Sequence, residues 1–198
     1  MRKSFIYLLA LLCVLVCYTS LDAYAQKQRK RPARRAKVQD SRIYLVHADV
    51  LHYDQRLNPD ATILNGKVHF THQGARLYCD SAYFYEASNS FEAFGHVKLY
   101  QGDTLSLFSD YAYYDGNDQI ARARYNVVLK NRKTTLYTDS LDFDRIYDNA
   151  YFFEGGKMID GNTTLTSDWG EYNTNTKMSV FNYDVKMKSP NFFLTTDT

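Results

Sequence analysis

Six aspartates recur along the chain at a nearly constant spacing, and their carboxylates could ligate cations or act as acids and bases. Intervals of 31, 30, 29, 29 and 29 residues separate them. Calcium-binding repeats, however, carry several acids and glycines within about nine residues, whereas each unit here has one consistent aspartate among bulky residues. We therefore interpret the aspartates as structural, with calcium ligation as the alternative. They are Asp49, Asp80, Asp110, Asp139, Asp168 and Asp197.

The rest of the sequence has no pattern typical of a metal, cofactor or catalytic site. His69 and His72 lie close in sequence, but residues three apart on a strand point to opposite faces. No serine-nucleophile motif, no Cys–His signature and no phosphate-binding glycine loop occurs in the sequence. We predict that the protein is not an enzyme and holds no metal and no cofactor.

The residues around each aspartate repeat with it, and they predict the element that positions it. An aliphatic residue stands three positions before the aspartate and an aromatic residue four positions after it. On one strand these positions face opposite sides. We expect a bulge or bend beside the aspartate, with the carboxylate capping free backbone N–H groups, to turn both residues inward. The aliphatic residues are Val46, Leu77, Leu107, Leu136, Leu165 and Leu194, and the aromatic residues are Tyr53, Phe84, Tyr114, Phe143 and Tyr172.

Each repeat has a second half in which apolar residues fall on every second position, the period of a β-strand. Ala93-Phe-Gly95-His-Val97-Lys-Leu99 is one example, and turn signals such as Asp115-Gly-Asn-Asp118 separate the strands. The sequence predicts an all-β domain over residues 43–198, with repeats of about 29–31 residues and two strands in each. Five units give ten strands, and a sixth is truncated. Either the protein ends on an edge strand, or this chain is part of a longer one.

The first residues have the layout of a secretory signal. Basic residues at the start precede an apolar run of about fourteen residues, Phe5 to Tyr18, and then Ala23-Tyr-Ala25. The run is shorter than the roughly 20 residues that a membrane-spanning helix needs. We predict a signal peptide over residues 1–25, cleaved after Ala25, and a periplasmic protein with outer-membrane association as a further expectation. The alternative is an uncleaved N-terminal anchor.

Residues 26–42 follow as a basic tail, which we predict to be a disordered linker. Seven positive charges and no acid lie between Lys27 and Lys37, whereas residues 38–198 carry 15 basic and 21 acidic residues, a net charge of −6. An exported acidic domain argues against a nucleic-acid partner. The tail is suited to an anionic membrane surface or to lipopolysaccharide phosphates, and a flexible spacer is the alternative.

Cys79 is the only cysteine after residue 25, so the predicted mature chain has no internal disulfide. A single thiol in an oxidising compartment must be buried, or it risks pairing between chains. The neighbours of Cys79 are apolar and aromatic. We interpret Cys79 as a small buried hydrophobic residue.

The repeated pattern resembles the OstA-like (LptA) family of periplasmic lipopolysaccharide-transport proteins, and also the N-terminal domain of LptD-type outer-membrane transporters. The resemblance rests on Leu-x-x-Asp-x-Ala-x-[Tyr/Phe], a turn, and Ala-x-Gly-x-Val-x-Leu, over residues 43–198. Tyr125 and Tyr183 replace the glycine of the second motif. The resemblance implies an elongated antiparallel β-jellyroll with open ends, whose interior receives acyl chains. It implies lipopolysaccharide or lipid A as ligand, and end-to-end strand addition with other jellyroll components or a homo-oligomer.

The residues expected to face the interior are the candidates for lipid contact. The alternative is that they fill a closed core. For the whole protein, the alternatives to a lipid carrier that bridges inner- and outer-membrane components are a structural or adhesive exported repeat protein and a jellyroll anchored in the inner membrane. The candidates are Phe84, Val97, Leu99, Tyr114, Val127, Leu129, Phe143, Tyr172, Val185 and Met187.

Overall fold

The computed structural model describes residues 42–56, 58–173, 175–176 and 178–197. The predicted signal peptide and nearly all of the basic tail lie outside these residues. Every regular element in the described ranges is a β-strand, so the predicted all-β fold class is confirmed. No helix in the described part of the chain is long and apolar enough to cross a membrane.

Fifteen strands follow one another along the described chain. Some strands of the repeat are interrupted at a bend, so two consecutive labels together form one continuous stretch across the sheet, here called a pass. With β1 joined to β2, β9 to β10, β11 to β12 and β13 to β14, there are ten passes and a final strand, as the repeat predicts. The strands are Tyr44–His47 (β1), Val50–Tyr53 (β2), Thr62–His72 (β3), Ala75–Tyr85 (β4), Ser90–Gln101 (β5), Leu105–Asp115 (β6), Ile120–Asn131 (β7), Thr134–Asp144 (β8), Asn149–Phe152 (β9), Gly156–Asp160 (β10), Thr163–Ser167 (β11), Trp169–Asn173 (β12), Ser179–Asn182 (β13), Val185–Ser189 (β14) and Phe192–Thr196 (β15).

The strands pair in one antiparallel ladder that divides into two paths. Layer A runs β1-β3-β4-β5-β6-β7-β8-β10-β11-β14-β15, and layer B is formed by β2, β9, β12 and β13 with the other halves of β3 to β8. The two layers face each other, because the ring of Phe70 in layer A stacks on that of Phe91 in layer B at a centroid distance of 4.7 Å. Each long strand therefore contributes to both walls of one interior.

A corner joins the two layers, and it lies at the repeated aspartates. On β4 and β5 the pairing register shifts between Tyr78 and Ser81, on either side of Asp80. The same interruption occurs between Phe108 and Tyr111 on β6, around Asp110. The ladder is therefore broken beside these aspartates. The sequence led us to expect this, because the leucine before the aspartate and the aromatic residue after it would face opposite sides of an unbroken strand.

Opposite the aspartates, the neighbouring strand places two successive residues in the left-handed region of backbone conformation. Gly95 and His96 have φ values of 73° and 44° beside Asp80, and Tyr125 and Asn126 have 63° and 53° beside Asp139. Such bulges bend a strand and increase its twist. Tyr125 thus adopts the conformation that glycine has in the earlier units, so its departure from the glycine motif leaves the bulge in place.

The carboxylates contact these bulges in more than one way. Asp139 Oδ1 accepts a hydrogen bond from the backbone N–H of Asn126 at 3.0 Å, the backbone capping expected from the sequence. Asp110 Oδ2 accepts instead from the side-chain amide of Asn126 at 2.6 Å, and Asp80 Oδ2 lies 2.6 Å from His96 Nδ1. These three aspartates thus tie neighbouring strands together at the corner, through backbone or side-chain donors.

The core is packed most densely by the first units of the repeat. One cluster of buried residues includes Leu64, Val68, Phe70, Phe91 and Val97. A second and smaller cluster joins Ala123, Val127, Leu141 and Ala150. The first cluster has Phe91 at the position of the repeat where the second has Ala150, so the second cluster fills less of the interior.

Gly95 allows the close approach of two strands at the corner, and its replacement tests this. A Cβ atom on Gly95 would lie 2.5 Å from Asp80 Oδ2, whereas one on Gly102, also at positive φ, meets nothing within 4 Å. We expect Gly95→Ala to lower the free energy of unfolding by roughly 2–3 kcal/mol, and Gly102→Ala by only about 1 kcal/mol, the cost of the backbone conformation. Chemical denaturation of both variants provides the measurement, and equal losses would show that the approach of Asp80 is not a constraint.

Candidate functional site

A cavity of about 420 Å³ lies between layer A and layer B. This volume is within the range of roughly 300–1,000 Å³ that is typical of small-molecule sites. Most of the side chains that line it are apolar, and both layers contribute. The apolar residues with side chains larger than alanine are Phe70, Leu77, Leu99, Leu105, Leu107, Leu129, Leu136 and Met158 from layer A, and Phe91, Tyr114, Leu141, Phe143, Phe152, Tyr172 and Phe181 from layer B.

The cavity exists because one position of the repeat becomes smaller along the chain. Eleven residues after Asp80, Asp110, Asp139 and Asp168 stand Phe91, Ala121, Ala150 and Ser179, respectively. The ring of Phe91 fills the space between the layers, where it lies 4.7 Å from that of Phe70 and 5.8 Å from that of Tyr114. Ala121, Ala150 and Ser179 also line the interior, but their side chains do not reach the opposite layer. The first units are therefore solid, and the later units enclose space.

Five of the ten residues predicted to contact lipid line this cavity. Leu99, Tyr114, Leu129, Phe143 and Tyr172 contribute to its wall. Val97, Val127 and Val185 are buried beside the corner, Phe84 packs in the first core cluster, and Met187 is half-buried on β14. The structure thus separates the predicted set into residues at the cavity and residues in the packed parts of the interior.

Other lining residues were not predicted as lipid contacts. Leu77, Leu107 and Leu136 belong to the aliphatic position before the aspartate, which the sequence predicted to face inward but which was not among the lipid-contact candidates. They lie in the half of each strand that precedes the corner, and they face the same interior as the aromatic residues after it. Their recurrence was the signal that could have identified them.

A polar group of side chains reaches into the cavity on the side away from the corner. Arg145 Nη1 donates to Tyr114 Oη at 2.8 Å and lies 3.4 Å from His72 Nδ1. Tyr114 Oη is also 2.9 Å from His72 Nδ1, and Arg145 Nη2 donates to Gln73 Oε1 at 3.1 Å. Burial raises the pKa of Tyr114, and the nearby guanidinium of Arg145 opposes this rise. The hydroxyl therefore remains protonated at neutral pH.

Cys79 is buried, and burial raises the pKa of its thiol to about 12, so the thiolate is not available at neutral pH. Within the described ranges, no group of three or more His, Cys, Asp or Glu side chains is placed to hold a metal ion.

The sequence model of the OstA-like proteins matches residues 40–197. The chain belongs to the OstA-like protein family. The match covers nearly the whole described region, so the resemblance seen in the Leu-x-x-Asp repeat is confirmed. No curated protein matches the chain.

A solved structure has the same fold as this OstA-like chain. It is LptH from Pseudomonas aeruginosa, described as the LptA homologous periplasmic component of the conserved lipopolysaccharide transport device. The match has a TM-score of 0.51 and 15% sequence identity, and covers 55% of this chain and 81% of LptH. At this identity the similarity establishes the fold, an open antiparallel sheet of the jellyroll-like kind.

Refilling the cavity tests whether the small side chain at position 121 opens it. Ala121 stands opposite Tyr114 and Phe143 on the neighbouring strands, as Phe91 stands opposite Phe84 and Tyr114. We expect Ala121→Phe to fold and to bind the apolar dye N-phenyl-1-naphthylamine about tenfold more weakly, the equivalent of about two lost CH₂ contacts. Fluorescence titration measures the affinity.

The matched control is Val128→Phe, which adds the same ring on the same strand but outside the cavity lining. Val128 stands opposite Phe108 and Tyr137. Its variant should bind the dye as the wild type does. Equal weakening in both variants would place the dye elsewhere on the protein.

Proposed function

We propose that this chain is a non-enzymatic periplasmic protein that binds lipopolysaccharide and transports it towards the outer membrane. The observation that carries the proposal is the apolar cavity of about 420 Å³ between the two layers. It is open in the units where alanine and serine replace Phe91. In this function the interior shields acyl chains from water, and the protein connects inner-membrane and outer-membrane components.

The energetics of acyl-chain burial favour this use of the cavity. Each buried CH₂ of an acyl chain contributes about 0.8 kcal/mol. Leucine, phenylalanine and tyrosine side chains form most of the wall, so an acyl chain would replace water against an apolar surface. A cavity of this kind has no need of a catalytic group, because the transfer of a lipid breaks no covalent bond.

The comparisons support the same proposal. The chain is an OstA-like protein, and LptH, which shares its fold, is described as a periplasmic component of a lipopolysaccharide transport device. We extend that role to this chain. The proposal includes export by a signal peptide over residues 1–25, and contact of the basic tail, residues 26–42, with anionic membrane or lipopolysaccharide surfaces.

Photocrosslinking in cells tests the proposal directly. Leu129 lines the cavity, whereas Val128, the preceding residue on β7, faces away because side chains alternate along a strand. With a photoreactive amino acid at position 129, we expect an adduct that antibodies to lipopolysaccharide detect. The same photoreactive amino acid at position 128 should give at most about a tenth of that adduct, since adjacent strand residues lie on opposite faces. Absence of an adduct at 129, with the protein folded and exported, would contradict the proposal.

The two edges of the described sheet supply the surfaces for joining other jellyroll domains. At one edge, Val50, Leu51 and Tyr53 of β2 are more than half exposed. At the other, Phe192 and Phe193 of β15 are also more than half exposed. Within the described residues these strands pair on one side, β2 with β3 and β15 with β14. Their outer edges and exposed apolar side chains suit strand addition by a second copy or by another jellyroll.

A charge placed on the edge tests this association. We expect the wild-type protein to form oligomers as its concentration rises. Leu51→Lys should raise the concentration for half association about tenfold or more, because an ammonium group would have to be desolvated in the joint. The control is Tyr137→Lys, an exposed position in the middle of layer A. Light scattering after size exclusion gives the mass, and equal effects of the two variants would exclude the edge as the joint.

A further inference from the structure

Arg145 breaks the symmetry of the repeat. It stands six residues after Asp139, where the other units have Gln55, Glu86, Gly116 and Thr174. It is thus the basic residue at a position that is otherwise neutral or acidic. A residue that departs from a repeat in chemical character, at a position beside the cavity, is a candidate for a function that the other units do not share.

The turn between β8 and β9 fixes the backbone of Arg145. Asp144 Oδ1 accepts hydrogen bonds from the N–H groups of Ile146 at 2.8 Å and Tyr147 at 3.1 Å. The N–H of Arg145 itself donates to the carbonyl of Gln119 at 3.1 Å. The backbone is therefore held on both sides of the residue, and the side chain lines the cavity.

Among the described residues, the hydrogen-bond partners of the guanidinium are neutral and come from distant parts of the chain. Tyr114 belongs to layer B, whereas His72 and Gln73 lie at the end of β3 in layer A and in the turn after it. An arginine nitrogen can only donate, so His72 Nδ1 acts as an acceptor towards it. These three residues orient the guanidinium without neutralising its charge.

No carboxylate lies within 4.0 Å of the Arg145 guanidinium among the residues that the structure describes. Arg124 on the outside of layer B differs, because its Nη1 lies 2.6 Å from Asp142 Oδ1. A charge that is partly withdrawn from water in an apolar cavity is unfavourable unless it is paired. The guanidinium also has five N–H donors, more than these three acceptors use. Asp160 and Glu171 also line the cavity, but neither lies within ion-pair distance of Arg145. An anion beside the guanidinium would supply both the charge and the acceptors.

We propose that Arg145, oriented by Gln73, His72 and Tyr114, binds the phosphate group of an amphiphile whose apolar chain occupies the cavity. Guanidinium groups bind phosphate oxygens through paired hydrogen bonds, which suits this geometry. The inference rests on the proposed function, because it places the chain of the ligand in the same cavity. The same chemistry would also accept free inorganic phosphate, so the experiment must distinguish the two sources.

The test compares dodecyl phosphate, dodecanol and inorganic phosphate as ligands of the folded protein, by calorimetry below micelle-forming concentrations. We expect the wild type to bind dodecyl phosphate about tenfold more tightly than dodecanol, as charge-assisted hydrogen bonds would give. Arg145→Met removes the charge and keeps most of the volume, so it should abolish this preference and leave dodecanol binding unchanged. Arg145→Lys should retain part of the preference.

The control is Lys157→Met on β10, which removes a positive charge from an exposed position outside the cavity lining. It should leave all three affinities unchanged. If Arg145→Met weakens dodecanol and dodecyl phosphate equally, or weakens neither, the anion site is wrong and Arg145 only connects the two layers.

The remaining outcomes separate this inference from the proposed function. If inorganic phosphate binds alone with the full Arg145-dependent affinity, the ligand is free phosphate, and the amphiphile proposal is wrong. If neither dodecanol nor dodecyl phosphate binds to the wild type, the cavity does not take acyl chains. In that case the proposed function fails with the amphiphile proposal, whatever inorganic phosphate does.

Discussion

The structure depends on one constraint, the contact of Asp80, Asp110 and Asp139 with the two-residue bulge of a neighbouring strand. A strand can present only one set of alternating side chains to a given side. Leu77 and Cys79 are buried before the corner on β4, and Ala82 is buried after it, so the alternation changes phase between them. The left-handed residues at the bulge make this change, and they bend the ladder there. Because the bend recurs in successive units, a single ladder becomes two facing layers.

Two layers made in this way need not enclose a uniform interior. Each unit contributes the same backbone, so the size of the side chains decides whether the space is filled. Phe70 and Phe91 stack across the layers near the start of the described chain, and the next units have alanine in place of Phe91. Dense packing and open space therefore belong to different units. The first units supply densely packed apolar contacts, and the later ones give up some of that packing to leave a cavity.

Among the described residues, three charged side chains line the mostly apolar cavity, and Arg145 is the positive one, with Asp160 and Glu171 as the negative ones. Arg145 joins the open sides of the two layers through Tyr114 and Gln73. The group has two consequences for the molecule. It limits the separation of the layers on the side away from the corner, and it places a positive charge in a mostly apolar space. In the proposed amphiphile site, this charge would distinguish the two ends of the ligand, which a purely apolar core would not do.

The sequence by itself determined the strand period, the number of passes, the positions of the corners and the family, since these follow from local alternation and the spacing of Asp80 and its equivalents. It also predicted that Leu99, Leu129 and Phe143 face inward. Only the tertiary structure decided which inward residues border empty space, because that depends on the volumes of residues from both layers that meet across the interior. It also brought Arg145 to Gln73, 72 residues away in sequence, a contact that depends on how strands β3 and β8 are positioned in the folded ladder. Local patterns fix the phase of a strand, whereas packing across the layers fixes the cavity.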